Sequence, residues 1–128
     1  MVSVTMDQII AFRNNGDFFA DTVLPLKAAY KLNKIKKAVE KEGEFYTEKF
    51  QEIVATYAKH DDNGNVVFSD DGSQIMIKEG MVDECNQALT DLQELEVEIE
   101  NYGFSLEDLG EDLECTPDEL EALMPFME

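Results

Sequence analysis

The sequence predicts an α+β fold, mainly helical, in which a long antiparallel helix pair carries a small β-hairpin or three-stranded sheet, with short helices at both ends. Three observations lead there. Between Leu24 and Lys59, apolar residues recur at Ala28, Leu32, Ile35, Val39, Tyr46, Phe50, Ile53 and Tyr57. Steps of three, four or their sum put them in one stripe on a helix. A second stripe, Val82, Cys85, Leu89 and Leu92, widened by Ala88 and Leu95, predicts a helix over about Met81 to Glu96. Between the two, turn formers bracket the short runs Val66 to Phe68 and Ile75 to Ile77, which read as a hairpin over about residues 65–78.

Each element has its own signals. Thr5 and Gln8 stand at capping-box spacing, so Thr5 to Asn14 reads as a short helix that Asn14, Asn15 and Gly16 stop. Phe18 and Phe19 are expected to anchor the following connection on the core. Pro25 suits the first turn of the long helix, read as about 25–59, because its missing N–H costs nothing there. Gly43 interrupts that helix with a residue about 1 kcal/mol worse than Ala, which marks a kink or a close helix contact. Val97 and Ile99 alternate with Glu98 and Glu100, and this weak strand is the expected third partner of the hairpin. Tyr102 to Phe104 reads as a turn, and Ser105 with Asp108 as a capping box before one helical turn. Thr116, Pro117 and Glu119 begin a last helix over about 117–124, closed by Pro125. At 128 residues the chain is expected to form a single domain.

Charge is the least ordinary property. The formal net charge is −19. Residues 1–59 carry nine basic against eight acidic residues, whereas from His60 onward Lys78 alone stands against 21 acidic ones. A body this negative repels phosphate backbones and anionic membranes, so no direct nucleic-acid or membrane partner is expected unless the basic patch is exposed. That patch is Lys27, Lys31, Lys34, Lys36, Lys37 and Lys41. Like charges one turn apart, Lys27 with Lys31 and Lys37 with Lys41, repel by a few tenths of a kcal/mol (about 0.2–0.5 per pair). The acidic half of the chain, with Glu84, Asp91 and Glu94 on the second helix, is the expected relief. The N-terminus lacks a basic stretch followed by a cleavable apolar core and reads as mature cytoplasmic protein.

The constellations that carry chemistry are absent or off register. An EF-hand started at Asp61 puts Val66 at the obligatory glycine position and Gly72 where the bidentate Glu belongs. His60 is the only histidine, and neither GxGxxG nor GxxxxGK[ST] occurs. Cys85 reads as core, and two isolated cysteines read as reduced. No cofactor, metal or catalytic residue is therefore expected, and the chain reads as a non-enzymatic protein.

The run Leu24-Pro25-Leu26-Lys27-Ala28-Ala29-Tyr30-Lys31-Leu32-Asn33-Lys34 and the C-terminal Thr116-Pro117-Asp118-Glu119-Leu120-Glu121-Ala122-Leu123 resemble a family of small, largely uncharacterised proteins of tailed bacteriophages and prophages. The resemblance implies a viral origin and action in the host bacterial cytoplasm or with the virion during assembly; it implies no catalytic residues. Two roles follow. The first is an assembly or adaptor factor that contacts a phage or host protein and forms a homo-oligomer. The second is an acidic inhibitor that imitates nucleic acid. The carboxylates expected to form the interaction face are Glu94, Glu96, Glu98, Glu100, Glu107, Asp108, Glu111, Asp112 and Glu114.

Overall fold

The computed structural model describes every residue except Asp112, which leaves that one predicted carboxylate outside the described residues. The fold is mainly helical α+β with a small antiparallel sheet. Its elements are β1 (Val2–Thr5), α1 (Met6–Asn14), α2 (Gly16–Asp21), α3 (Leu26–Tyr57), α4 (Val82–Glu94), β2 (Glu96–Ile99) and α5 (Pro117–Leu123), with 3-10 turns at Leu106–Leu109 and Met124–Phe126. They form two compact units, Met1–Phe45 with Glu94–Glu128, and Tyr46–Gln93. Helix α3 runs through both.

In the first unit, β1 and β2 pair antiparallel, Val2 opposite Ile99 and Val4 opposite Val97. Alternation sends Val4 and Ile99 inward, where both are buried, and leaves Glu96 and Glu98 exposed opposite Thr5 and Ser3. The Met6 amide donates to the Leu95 carbonyl at 2.9 Å, extending the pairing by one step. Helix α1 starts on the predicted capping box: Thr5 Oγ1 accepts from the Gln8 amide and Gln8 Oε1 from the Thr5 amide. Its Ile9 and Phe12 are buried, as are Ala28, Leu32, Ile35 and Val39 along one stripe of α3. Phe19 stacks on Phe12 with ring centroids 4.3 Å apart, and Phe126 meets Phe12 edge-on at 4.8 Å. The phenylalanine anchor thus holds for Phe19, and it sits on α2, a short helix where the sequence predicts a connection.

Gly43 marks a close approach rather than a break. A Cβ there would stand 2.5 Å from Cδ and Nη1 of Arg13, so the absent side chain is what lets Arg13 cross α3. Helix α3 continues through it.

In the second unit the two predicted runs pair antiparallel across the turn, the Ser69 amide donating to the Gln74 carbonyl and the Met76 amide to the Val67 carbonyl, but the pairing is sparse. Val66–Phe68 and Ile75–Ile77 form single bridges, Phe68 with Ile75, His60 with Val66 and Ala58 with Ile77, rather than two continuous strands. Nor does Val97–Ile99 join them, because β1 supplies its partner. The third side is the chain leaving α3. The Val67 amide donates to the Lys59 carbonyl, Lys59 to Met76 and Met76 to Val67, at 2.8–2.9 Å, closing a ring of three backbone hydrogen bonds. The Lys78 amide then donates to the Tyr57 carbonyl, so α4 begins beside the end of α3. Among the described residues of this unit only Ala58, Cys85 and Leu92 are buried apolar residues.

Candidate functional site

The acidic residues fall into separate settings. Glu96 and Glu98 project from the outer face of β2, and Glu100 follows, 3.4 Å from the N-terminal ammonium. Glu94 ends α4, and Glu107, Glu111 and Glu114 are exposed between β2 and α5. Asp108 is turned inward. Its carboxylate accepts from the Ser105 amide at 2.9 Å and from Lys31 Nζ at 3.1 Å. The Ser105 amide first, and then Lys31, hold its pKa below the ordinary 3.8 against the opposing effect of partial burial.

The expected relief of the lysines is otherwise missing. Among the described residues the ion pairs are Lys31 with Asp108, Lys49 with Glu52, and the N-terminus with Glu100. Among the described residues Glu94 forms no ion pair with Lys27, Lys31, Lys34, Lys36, Lys37 or Lys41. Among the described residues Lys27, Lys34, Lys36, Lys37 and Lys41 are in no ion pair, and no acidic residue occurs between Asp21 and Glu40.

Apolar surface gathers beside these lysines. Tyr30 lies out of phase with the buried stripe of α3 and is 57% exposed; Leu26, one turn earlier, is 87% exposed. Tyr102 meets Tyr30 edge-on, with ring centroids 6.4 Å apart and planes at 71°, and is itself 46% exposed. With the stems of Lys27 and Lys31 they line an open groove of about 430 Å³. The wall is apolar throughout, because the lysines contribute methylenes and carry their ammonium groups away from it. Lys34 Nζ sits 5.5 Å from the Tyr30 ring centroid, within cation–π range.

The backbone under Tyr102 is unusual. The Phe104 amide donates to the Asn101 carbonyl at 2.9 Å, closing a turn whose central residues, Tyr102 and Gly103, both have positive φ, 55° and 74°. That pair of angles is the mark of a type I′ turn, where Asn or Gly normally takes the first central place. A tyrosine there costs on the order of 1–2 kcal/mol of steric strain. The turn is held from both sides. Asn101, fully buried, donates Nδ2 to the Phe126 carbonyl at 3.2 Å and accepts from the Gly103 amide at 3.4 Å; Phe104 accepts from the Glu128 amide.

The acidic turns of the second unit use their carboxylates internally. Asp61 Oδ1 accepts from the Asn63 and Asn65 amides. Asp71 Oδ1 accepts from the hydroxyls of Ser69 and Ser73 and from the Ser73 amide. The Ser69 hydroxyl leads these in lowering the Asp71 pKa to about 2. Among the described residues no three His, Cys, Asp or Glu side chains are grouped to hold a metal ion, and no helix is long and apolar enough to cross a membrane.

Sequence reasoning missed Tyr30, Leu26 and Tyr102 as site residues. Tyr30 carried a signal, an aromatic off the core stripe; Tyr102 carried only a turn glycine after it. In comparisons with known proteins, no family model, no curated protein and no solved structure matches this chain.

Proposed function

We propose that this chain is a small acidic phage protein that acts by binding another protein, as an assembly or adaptor factor, through the face formed by Leu26, Tyr30 and Tyr102. One observation carries the reading: two exposed tyrosines meet over an apolar groove, and one of them is held in a backbone conformation that disfavours it. Tyrosine anchors are what interfaces concentrate, and strained placements cluster where a side chain serves binding. This reading takes the partner to be a phage or host protein in the bacterial cytoplasm or the growing virion, as the resemblance of Leu24 to Lys34 to tailed-phage proteins implies.

The acidic inhibitor is the second reading, favoured by the exposed glutamates on the outer face of β2. The internal use of Asp108 weakens it, since that carboxylate serves Lys31 and Ser105.

Affinity capture from phage-infected cells decides between them. Tagged wild-type protein is compared with Tyr30→Ala/Tyr102→Asn and with Glu96→Gln/Glu98→Gln/Glu100→Gln, and bound proteins are identified by mass spectrometry. The reading expects a partner lost with the tyrosines and kept without the glutamates. A partner kept by the tyrosine variant and lost with the glutamates refutes it in favour of the inhibitor.

A further inference from the structure

We infer that the segment received by the Tyr30–Tyr102 face is an acidic, amphipathic peptide stretch of the partner, one that places an aliphatic or aromatic side chain in the groove and carboxylates on the lysines around it. The inference rests on the interaction reading above and adds the chemistry of the partner.

The argument is one of charge placement. Lys27, Lys34 and Lys41 recur every seven residues, which brings them to one side of α3, and among the described residues none is in an ion pair. Lys31, in the same row, is already held by Asp108 at 3.1 Å. Against a net charge of −19, Lys27, Lys34 and Lys41 form a local positive row whose ammonium groups are open to external carboxylates. The groove between Leu26, Tyr30 and Tyr102 has an apolar wall and accepts a side chain, not a charge. A ligand that fits both features alternates apolar and anionic groups on one face, as an acidic amphipathic helix does at i, i+3, i+4 and i+7.

A nucleic-acid strand satisfies the lysines but fits the rest poorly. Each phosphate beyond the lysine row must approach a protein of the same sign, and that repulsion is only partly screened within the Debye length of about 8 Å at physiological salt. A peptide brings its carboxylates to the row and none elsewhere. A second copy of this chain faces the same net repulsion.

The probe is a fluorescently labelled helical peptide of about fifteen residues, with Leu and Phe along one face and Glu beside them. Its controls are the same peptide with Lys in place of Glu, and a single-stranded oligothymidine of equal length. Fluorescence anisotropy should show saturable binding of the acidic peptide alone, weakened about tenfold or more by Tyr102→Asn or by Lys27→Gln/Lys34→Gln. Raising salt from about 0.05 to about 0.5 M should also weaken it. Tyr102→Asn suits the turn, so circular dichroism should show it folded. Equal binding of acidic and basic peptides, preference for oligothymidine, no saturable binding, or indifference to Tyr102→Asn each overturns the inference. So does sedimentation of the free protein as a dimer that Tyr102→Asn dissociates, because the occupant is then a second copy. If the peptide fails while lysate capture still depends on the tyrosines, only the chemistry assigned to the partner is wrong. If capture itself is independent of the tyrosines, the interaction reading falls.

Discussion

Lys31 Nζ lies 3.1 Å from Asp108 Oδ2, and this ion pair joins the long helix to the turn that follows β2. Lys31 also lends its stem to the groove wall, so one lysine both anchors the fold and shapes the surface. Its neighbours in the row lack that anchor, which separates the structural lysine from those left for a ligand.

Asp108 gives a signed pH prediction. Its folded-state pKa is depressed, so the stability it contributes is complete above the unfolded value of 3.8 and is lost as pH falls through and below it. Urea unfolding of wild type between about pH 6 and about pH 2 (roughly two units on either side of the ordinary Asp value) should show this acid loss. Asp108→Asn, with no charge to titrate, should show a shallower one. Asp108→Ala removes both the ion pair and the cap on Ser105 and should cost about 1–2 kcal/mol at neutral pH.

Asn101 is the polar tie of the first unit. Replacing it with Ala strands the Phe126 carbonyl and the Gly103 amide and empties a fully buried site. Chemical denaturation should register a loss of about 2–3 kcal/mol. A loss below about 0.5 kcal/mol, the range of ordinary surface substitutions, would show that water replaces the amide at no cost.

At Tyr102 the expected direction is reversed. Asn is accepted at positive φ, and the ring is half exposed, so Tyr102→Asn should leave stability unchanged or raise it by up to about 1 kcal/mol. A marked destabilisation would mean that the ring serves packing, and its strained placement would no longer point to a partner.

Much of the fold was legible because its signals are local. Thr5 with Gln8, and Thr116 with Pro117 and Glu119, specify helix starts within four residues, and both capping boxes formed. The phase of Ala28, Leu32, Ile35 and Val39 named the buried side of α3. Strand β1 was hidden because its four residues depend on a partner more than ninety positions away, Val2 opposite Ile99. Asn15 misled for a related reason: its side chain bonds back to the Ala11 carbonyl, ending α1, yet α2 restarts at Gly16. The site was the least readable part. The acidic residues dominated the composition, whereas the features that converge, Tyr30, Tyr102 and the lysine row, are few and distant in sequence.

Gly43 supplies a coupling test. Ala favours a helix interior by about 1 kcal/mol over Gly, but here its Cβ meets Arg13. Gly43→Ala should therefore stabilise the Arg13→Ala protein by about 1 kcal/mol and wild type by visibly less. Equal gains in the two backgrounds would show that the Arg13 side chain moves aside freely.

The two units should differ in hydrogen exchange. Amides near Ile35 sit over a dense core, while those near Ile53, on the same helix, belong to a unit with few buried side chains. Native-state exchange should be slower around Ile35 than around Ile53. Uniform protection along α3 would show that the helix opens only as a whole.

Site-specific photo-crosslinking in infected cells tests the central claim most directly. A benzophenone amino acid placed at Tyr30 should yield a discrete adduct with one partner protein, and the same group at Glu98 should yield none. An adduct from position 98 with none from position 30 would contradict the account and move the binding surface to the glutamates of β2.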